Sequence, residues 1–195
     1  DDLRTLNVKQ VYKGGKLVAE NGKMLHQKEK NTDWSTEIKE RVFHSFHRVP
    51  ITVEELQLKE TTGTHQRVID MVAHELITKE RIEEWKELPG VAPGVDIRRD
   101  ILKISTIERH KNTGHVGLGF LGKYGLKKGA VATSIGHDSH NLVIAGVTDE
   151  DMVLAGNRVI ENGGGLAIAL EGKVLADLPL PIGGLMADEP VEVVD

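Results

Sequence analysis

The chain contains no cysteine, which excludes disulfides and every zinc motif that relies on thiolate ligands. Aromatic residues make up only 4% of it, so a core must be built from Val, Ile, Leu and Ala. No apolar run approaches the ~18 residues of a membrane span. There is also no large excess of one charge overall. The 25 basic and 30 acidic residues give a formal net charge of −5 and are interspersed, apart from short runs such as Arg98-Arg99 and Asp188-Glu189. A nucleic-acid surface is therefore not expected. The first residues, Asp1-Asp-Leu3, include no initiator Met and no positively charged lead-in, and read as the middle of a strand. A soluble cytoplasmic protein is the default expectation.

At 195 residues the chain can form one or two compact domains, but it is too short for a (β/α) barrel of ~250 residues with anything added. Val8 to Ala19 alternates apolar and polar residues around Gly14-Gly15, the pattern of a β-hairpin. Trp34, Ile38, Val42 and Phe46 recur every four residues and predict an amphipathic helix over Asp33 to His47 with a core-packing face. His44 and His47 lie within it and read as surface residues. Thr52-Val-Glu-Glu55 has the capping-box pattern of a single helical turn. Strands are predicted over Arg67 to Ile77 and Asp100 to His110, with a loop between them marked by Pro89-Gly90 and Pro93-Gly94. Two more follow at Ala130 to Ile135 and Leu142 to Val147.

Thr148 and the acidic run Asp149 to Asp151 then mark a helix start, with Met152, Ala155, Val159 and Ile160 as its apolar stripe and Gly163 as its stop. Leu166 to Leu170 and Val174 to Leu178 complete the pattern as strands around Glu171-Gly-Lys173. The fold class expected is α+β, a mixed, layered β-sheet domain with few helices.

Chemistry concentrates in Gly129-Ala-Val-Ala-Thr-Ser-Ile-Gly-His-Asp-Ser-His-Asn141. An apolar strand delivers His137, Asp138, Ser139, His140 and Asn141 together at its end, and Leu142 resumes an apolar run that would hold the turn. Two imidazoles, a carboxylate, a hydroxyl and an amide can bind a metal, move protons or hydrogen-bond a polar heterocycle; a plain polar turn is the competing reading. Glu108, Arg109 and His110 end another strand, either as functional groups or as a surface salt bridge. His65 and His115 have no patterned partner. Gly117-x-Gly119-x-x-Gly122 matches the dinucleotide-binding pattern, but no crossover helix can follow it, so a glycine-rich strand or loop is expected. Gly163-Gly-Gly165 reads as a helix stop.

Taken in order, Glu108-Arg-His110, Gly114-His-Val-Gly-Leu-Gly-Phe120, Tyr124-Gly-Leu-Lys-Lys-Gly-Ala130, His137-Asp-Ser-His-Asn141, Asp149-Glu-Asp-Met152, Asn157-Arg158, Gly163-Gly-Gly165 and Leu178-Pro-Leu-Pro-Ile-Gly-Gly-Leu-Met186 resemble the C-terminal region of bacterial-type adenine deaminases, of the amidohydrolase superfamily. Gly136 departs from the pattern, where family members often carry Ala. Val8-Lys-Gln-Val-Tyr-Lys-Gly-Gly-Lys-Leu-Val-Ala-Glu-Asn-Gly22 resembles the small β-domain that follows the catalytic barrel. The resemblance implies a remnant of that domain over residues 1–30 and the C-terminal domain over 31–195.

It further implies a reaction of adenine and water to hypoxanthine and ammonia. The divalent metal, manganese, iron or zinc, would sit in an N-terminal barrel that begins its ligand set with a His-x-His pair, which this sequence lacks. The chain is accordingly expected to be a fragment, inactive alone, with no catalytic or metal-ligating residue of its own. His137 to Asn141, with Glu108 and Arg109, would close over the barrel mouth and contact adenine or an outer position of the metal. The barrel is the expected partner, homo-oligomerisation is expected, and an exposed apolar surface is expected on the isolated chain. Two other readings stand beside this one: a structural or oligomerisation module of the same enzyme, and an autonomous metal hydrolase built on His137, Asp138 and His140.

Overall fold

The structure, a computed structural model, describes residues 4, 5, 7–25, 34–58 and 63–194. The chain divides into two compact units, Asp1–Ser35 and Thr36–Asp195. Asp1 to Leu3, the predicted helix start at Asp33 and the predicted boundary at residues 30 and 31 lie outside the described residues.

In the first unit β1 (Gln10–Lys13), β2 (Lys16–Glu20) and β3 (Lys23–Met24) form an antiparallel sheet in chain order. Lys13 pairs with Lys16, which leaves Gly14 and Gly15 as a two-residue turn with φ of 56° and 76°. Two successive positive φ values define the turn whose twist suits a hairpin, and glycine adopts them without a Cβ penalty.

The second unit opens with α1 (Thr36–Phe43), which is shorter than the four-residue periodicity predicts and has no buried residue. Trp34 and Ile38 are largely exposed, and of that stripe only Phe46, beyond the helix end, packs on the core. The predicted core helix stops early because the next segment is claimed by a strand end: the His47 amide donates to Arg109 O at 2.8 Å. His44 and His47 are exposed as expected, though His44 does have an acidic neighbour, Glu40, at 3.6 Å. The Thr52 to Glu55 pattern yields a single 3₁₀ turn over Glu54–Leu56, with the Thr52 amide donating to Glu55 Oε2 at 3.0 Å.

Eight strands follow: β4 (His65–Met71), β5 (Thr78–Glu84), β6 (Ile101–Ile107), β7 (Val116–Gly122), β8 (Ala130–Thr133), β9 (Leu142–Gly146), β10 (Gly165–Leu170) and β11 (Lys173–Pro179). They form one sheet in the order β11-β10-β8-β9-β6-β7-β4-β5, antiparallel except where β4 runs parallel to β7. The α+β class is as the sequence predicts.

Two stretches depart from expectation. Arg67 to Ile77 is not one strand: the chain turns after Met71 and returns as β5, inside a region predicted to be loop. β5 has the sequence Thr-Lys-Glu-Arg-Ile-Glu-Glu because it is an edge strand whose side chains lie mostly in solvent. The glycine-rich Val116–Gly122 is an interior strand, so the dinucleotide pattern is indeed coincidental.

One face of the sheet is covered by α2 (Asp149–Glu161). Met152, Ala155 and Val159 are fully buried against Leu142, Ile144, Ala130, Ala132, Ala167 and Ala169, so small residues on the strands let the helix approach closely. Both ends of α2 are legible in the sequence. Thr148 accepts from the Asp151 amide at 3.4 Å as N-cap, and beyond the C-cap Asn162 the Gly163 amide reaches Ile160 O and the Gly164 amide reaches Val159 O, the Schellman arrangement around a glycine with φ of 69°.

At the N-terminal end of α2, Asp149 Oδ1 accepts from the fully buried Lys103 Nζ at 2.7 Å, and Asp151 accepts the Glu171 and Gly172 amides of the β10–β11 turn. The helix is thereby pinned to β6 at one point and to the sheet edge at another. A short α3 (Val191–Val194) ends the described chain, and among the described residues no helix is long and apolar enough to cross a membrane.

Candidate functional site

Strand register brings four loops to one end of the sheet. Ile107 of β6 pairs with both Val116 and Leu142, Thr133 pairs with Val143 and Leu166, and Gly165 pairs with Pro179. The β6–β7 loop (108–115), the β8–β9 loop (134–141), the glycines 163–165 and the segment 180–186 therefore lie side by side. Sequence motifs scattered over nearly eighty positions become neighbours through this register.

Ser134, fully buried, begins the bracing. Its amide donates to Gly165 O, its hydroxyl donates to Gly184 O and its oxygen accepts the Gly165 amide at 2.7 Å. Gly164 and Gly165, at φ of 129° and 131°, lie against the backbones of Gly184 and Leu178, where a Cβ has no room. Gly163-Gly-Gly165 is thus more than a helix stop. The part played by Ser134, Gly164 and Gly184 was not foreseen from the sequence, where the second glycine pair at 183 and 184 is the available signal.

On this base the turn Ile135 to Asn141 projects. The His140 amide donates to Gly136 O at 2.7 Å and the Ser139 amide to His137 O at 2.9 Å, closing a tight reversal with Asp138 at φ 63° and His140 at φ 48°. Left-handed backbone at non-glycine residues costs about 1 kcal/mol each and persists only where the surroundings impose it. The strand flanks and two tethers from the neighbouring loop impose it here. The side chains of His137 and Asp138 are 95% and 91% exposed, with Nδ1 and Oδ1 3.2 Å apart, and Ser139 is also exposed. His140 and Asn141 are partly buried, and Asn141 Oδ1 is a buried acceptor with no partner among the described residues.

The tethers come from Arg109 and His110. Arg109 is 1% exposed and has no carboxylate partner, so it is not the surface salt bridge that one sequence reading allowed. Its Nε donates to His140 O, one terminal nitrogen donates to Gly183 O at 3.0 Å, the other reaches Ser45 O at 3.5 Å, and the guanidinium stacks 4.9 Å from the Phe46 ring centroid. Burial lowers its pKa from the ordinary arginine value. One side chain thus joins the segment after α1, the β8–β9 turn and the segment before α3. His110 Nε2 lies 2.9 Å from Ser139 O and adds a second contact to the same turn.

Glu108 organises its own loop. Its carboxylate accepts the amides of His110, Lys111 and Thr113 and the Thr113 hydroxyl. The Thr113 amide foremost among these holds its pKa down to about 2, from 4.5. A carboxylate with a depressed folded-state pKa stabilises above its unfolded pKa and loses that contribution as pH falls through the folded value. The 108–115 loop is therefore expected to loosen between pH 4.5 and about 2, seen as falling protection of the Lys111 and Thr113 amides relative to their intrinsic exchange rates at each pH. Glu108→Gln should show the faster exchange already at pH 7.

The expected site residues thus divide by geometry. His137, Asp138 and Ser139 present an imidazole, a carboxylate and a hydroxyl outward, His140 and Asn141 form the base of the turn, and Glu108 and Arg109 build the loops that carry it. His65 and His115 are exposed, each beside a threonine hydroxyl. A cleft of about 600 Å³ lies elsewhere, between the 3₁₀ turn and β7, lined by Glu54, Glu55, Val116 and Leu118 among others. None of the turn residues lines it.

Among the described residues no group of three or more His, Asp or Glu side chains is gathered to hold a metal ion. His137 and Asp138 face each other as a pair, and His140, partly buried below, does not complete a set. The divalent metal implied by resemblance does not fit this chain's own residues. What the arrangement offers is hydrogen bonding from the exposed His137, Asp138 and Ser139 side chains.

Comparison with known proteins identifies the family of the chain. The family described as adenine deaminase C-terminal domain matches residues 75–195. An adenine deaminase of Lysinibacillus sphaericus is 41% identical over 193 residues, covering 98% of this chain and 32% of its own length. Adenine deaminase 1 of Carboxydothermus hydrogenoformans is 42% identical over 190 residues, covering 96% and 30%. An adenine deaminase of Kosmotoga olearia is 42% identical over 188 residues, covering 96% and 31%. The chain spans about a third of the length of these relatives. With the family match extending over most of the large sheet and all four loops at its end, this chain belongs to the adenine deaminase C-terminal domain family.

Proposed function

We propose that this domain serves the hydrolysis of adenine to hypoxanthine and ammonia by forming one wall of an active site completed by the rest of a full-length adenine deaminase, a cytoplasmic enzyme of purine salvage. The observation that carries the reading is the Ile135 to Asn141 turn. It is held in a left-handed backbone by its neighbours, yet its His137, Asp138 and Ser139 side chains are exposed to solvent, where they can meet a ligand. In the complete enzyme a divalent metal, manganese, iron or zinc, held by residues outside this chain's own, would supply the nucleophilic water. The residues of this chain orient the purine: Asp138 accepts from a ring N–H, Ser139 and His137 hydrogen-bond its edge, and Asn141 Oδ1 gains the donor it lacks.

The test is made on this chain joined to the remaining two thirds of the Lysinibacillus relative. Asp138→Asn and His140→Asn should each lower kcat/KM for adenine at least ~10-fold, the loss of a positioned polar group worth ~1.4 kcal/mol. Asparagine is chosen because it tolerates the left-handed backbone at both positions. Melting temperature should stay within a few degrees. The second reading, a structural or oligomerisation module, is favoured by the loop-building contacts of Glu108 and Arg109. It predicts the reverse outcome: an altered melting temperature or oligomer, with normal turnover per folded site.

A further inference from the structure

Among the described residues α2 packs on one face of the large sheet and no helix packs on the other, where the 91–97 segment covers the Leu102 end. Register places Ala176, Ile168, Val131, Ala145 and Ile104 in one row across that open face, ending at Gly119. The neighbouring row, nearer the candidate site, carries Leu166, Thr133, Val143 and Thr106 and ends at Gly117. Neither row contains a charge. Ile168 is 42% exposed and Thr106 is exposed as well, Val131, Ile104, Leu166, Thr133 and Val143 are half-buried and Ala145 is buried, whereas Ala167, Ala169, Ala130, Ala132 and Ile144 on the opposite face are buried under α2. A sheet whose two faces are both apolar is normally covered on both.

We propose that this face is the seat of the part of the relatives' polypeptide that lies outside the match, so that the domain docks by its sheet face and thereby presents the His137 to Asn141 turn. The inference rests on the reading that the domain works within a longer adenine deaminase chain. Two alternatives to face docking are blocked by the strands themselves. The β5 edge carries Lys79, Glu80, Arg81, Glu83 and Glu84, and the β11 edge is interrupted by a bulge at Leu175 and ends in Pro179. Charges, bulges and proline are devices that keep an edge from pairing.

Area decides between a tethered occupant and a second copy. Six strands at ~4.8 Å spacing and two residue rows at ~6.8 Å give roughly 400 Å². A second copy on the same face would bury about 800 Å² in all, short of the ~1,200–2,000 Å² of stable interfaces. A segment joined through the same chain is held at an effective concentration on the order of millimolar and needs no such area. The relatives supply that segment, since about two thirds of their length lies outside the match.

The absence of native cysteine allows a direct test. Thr106→Cys, Ile168→Cys and, as a control on the α2 side, Glu150→Cys are labelled with a maleimide in this chain alone and in the joined protein described above, with rates read by peptide mass spectrometry. The expected result is fast labelling at 106 and 168 in the chain alone, slowed at least ~10-fold in the joined protein, with position 150 unchanged. Equal rates at 106 and 168 in both proteins overturn the proposal. Protection in the chain alone at low micromolar concentration, together with a dimer in sedimentation, overturns it in favour of a second copy. Cysteines at the aligned positions of the intact Lysinibacillus relative give the same reading if the joined protein does not fold. Deamination measured on the same samples separates the two proposals. Protection without an effect of the Asp138 variant upholds docking and rejects the catalytic wall, whereas turnover with an open face does the opposite.

Discussion

Replacing Arg109 by alanine is expected to destabilise the 195-residue chain by about 3–5 kcal/mol, because a hydrogen bond from a charged donor contributes ~1.5–3 kcal/mol and the buried carbonyls left behind are desolvated without a partner. The guanidinium holds His140 O and Gly183 O directly, reaches Ser45 O and lies over Phe46, so three segments lose their common partner at once. Urea unfolding measures the total, and amide exchange at Ser139 to Asn141 should rise before the global transition. Arg109→Lys should recover little, since an ammonium cannot span three carbonyl directions with a planar fork. Stability within 1 kcal/mol of wild type for Arg109→Ala would remove Arg109 as the organiser of this end of the sheet and return it to the list of residues free to meet substrate.

The chain by itself is expected to release no hypoxanthine from adenine, with or without added manganese, iron or zinc. The sequence contains no His-x-His pair, the described residues gather no three metal-ligating side chains, and the relatives are about three times as long. Without an activated water the barrier is that of the uncatalysed reaction, and the expected loss relative to a complete enzyme is on the order of 10⁶-fold or more. The assay is hypoxanthine formation by the purified chain. Activity that survives repurification and a chelator would show a competent site within these residues and would make the exposed His137–Asp138 pair the first place to look.

What the sequence revealed and what it concealed divide along the range of the forces involved. α2 was legible to the residue because Thr148, the acidic first turn and Gly163 act within a few positions of themselves. The β8–turn–β9 unit was legible for the same reason, and with it the turn that carries His137 to Asn141. β5 was not, because an edge strand exposed on most of its side chains is free to be as charged as a loop. The helix over Asp33 to His47 was predicted too long because a periodicity of four says nothing about a carbonyl of Arg109 waiting some sixty positions later to take the His47 amide. The character of Arg109 was hidden most completely. Beside Glu108 in the sequence it reads as half of an ion pair, yet its partners are oxygens of residues 45, 140 and 183, which only the folded register brings near.

Those partners are all main-chain oxygens, and this makes the frame indifferent to the letters it holds. Positions 137 and 138 can be rewritten one at a time without asking Arg109 or His110 for a new arrangement, provided the residue at 138 accepts a φ near 63°, whereas Ser139 also accepts the Asn141 amide at 3.3 Å and belongs to the frame. Glycine and asparagine meet that condition, and β-branched residues do not. Under the proposal that this turn meets the purine, a family built on such a frame can change what the turn recognises while keeping where it stands, and positions 137 and 138 are a small alphabet already mounted on a braced support.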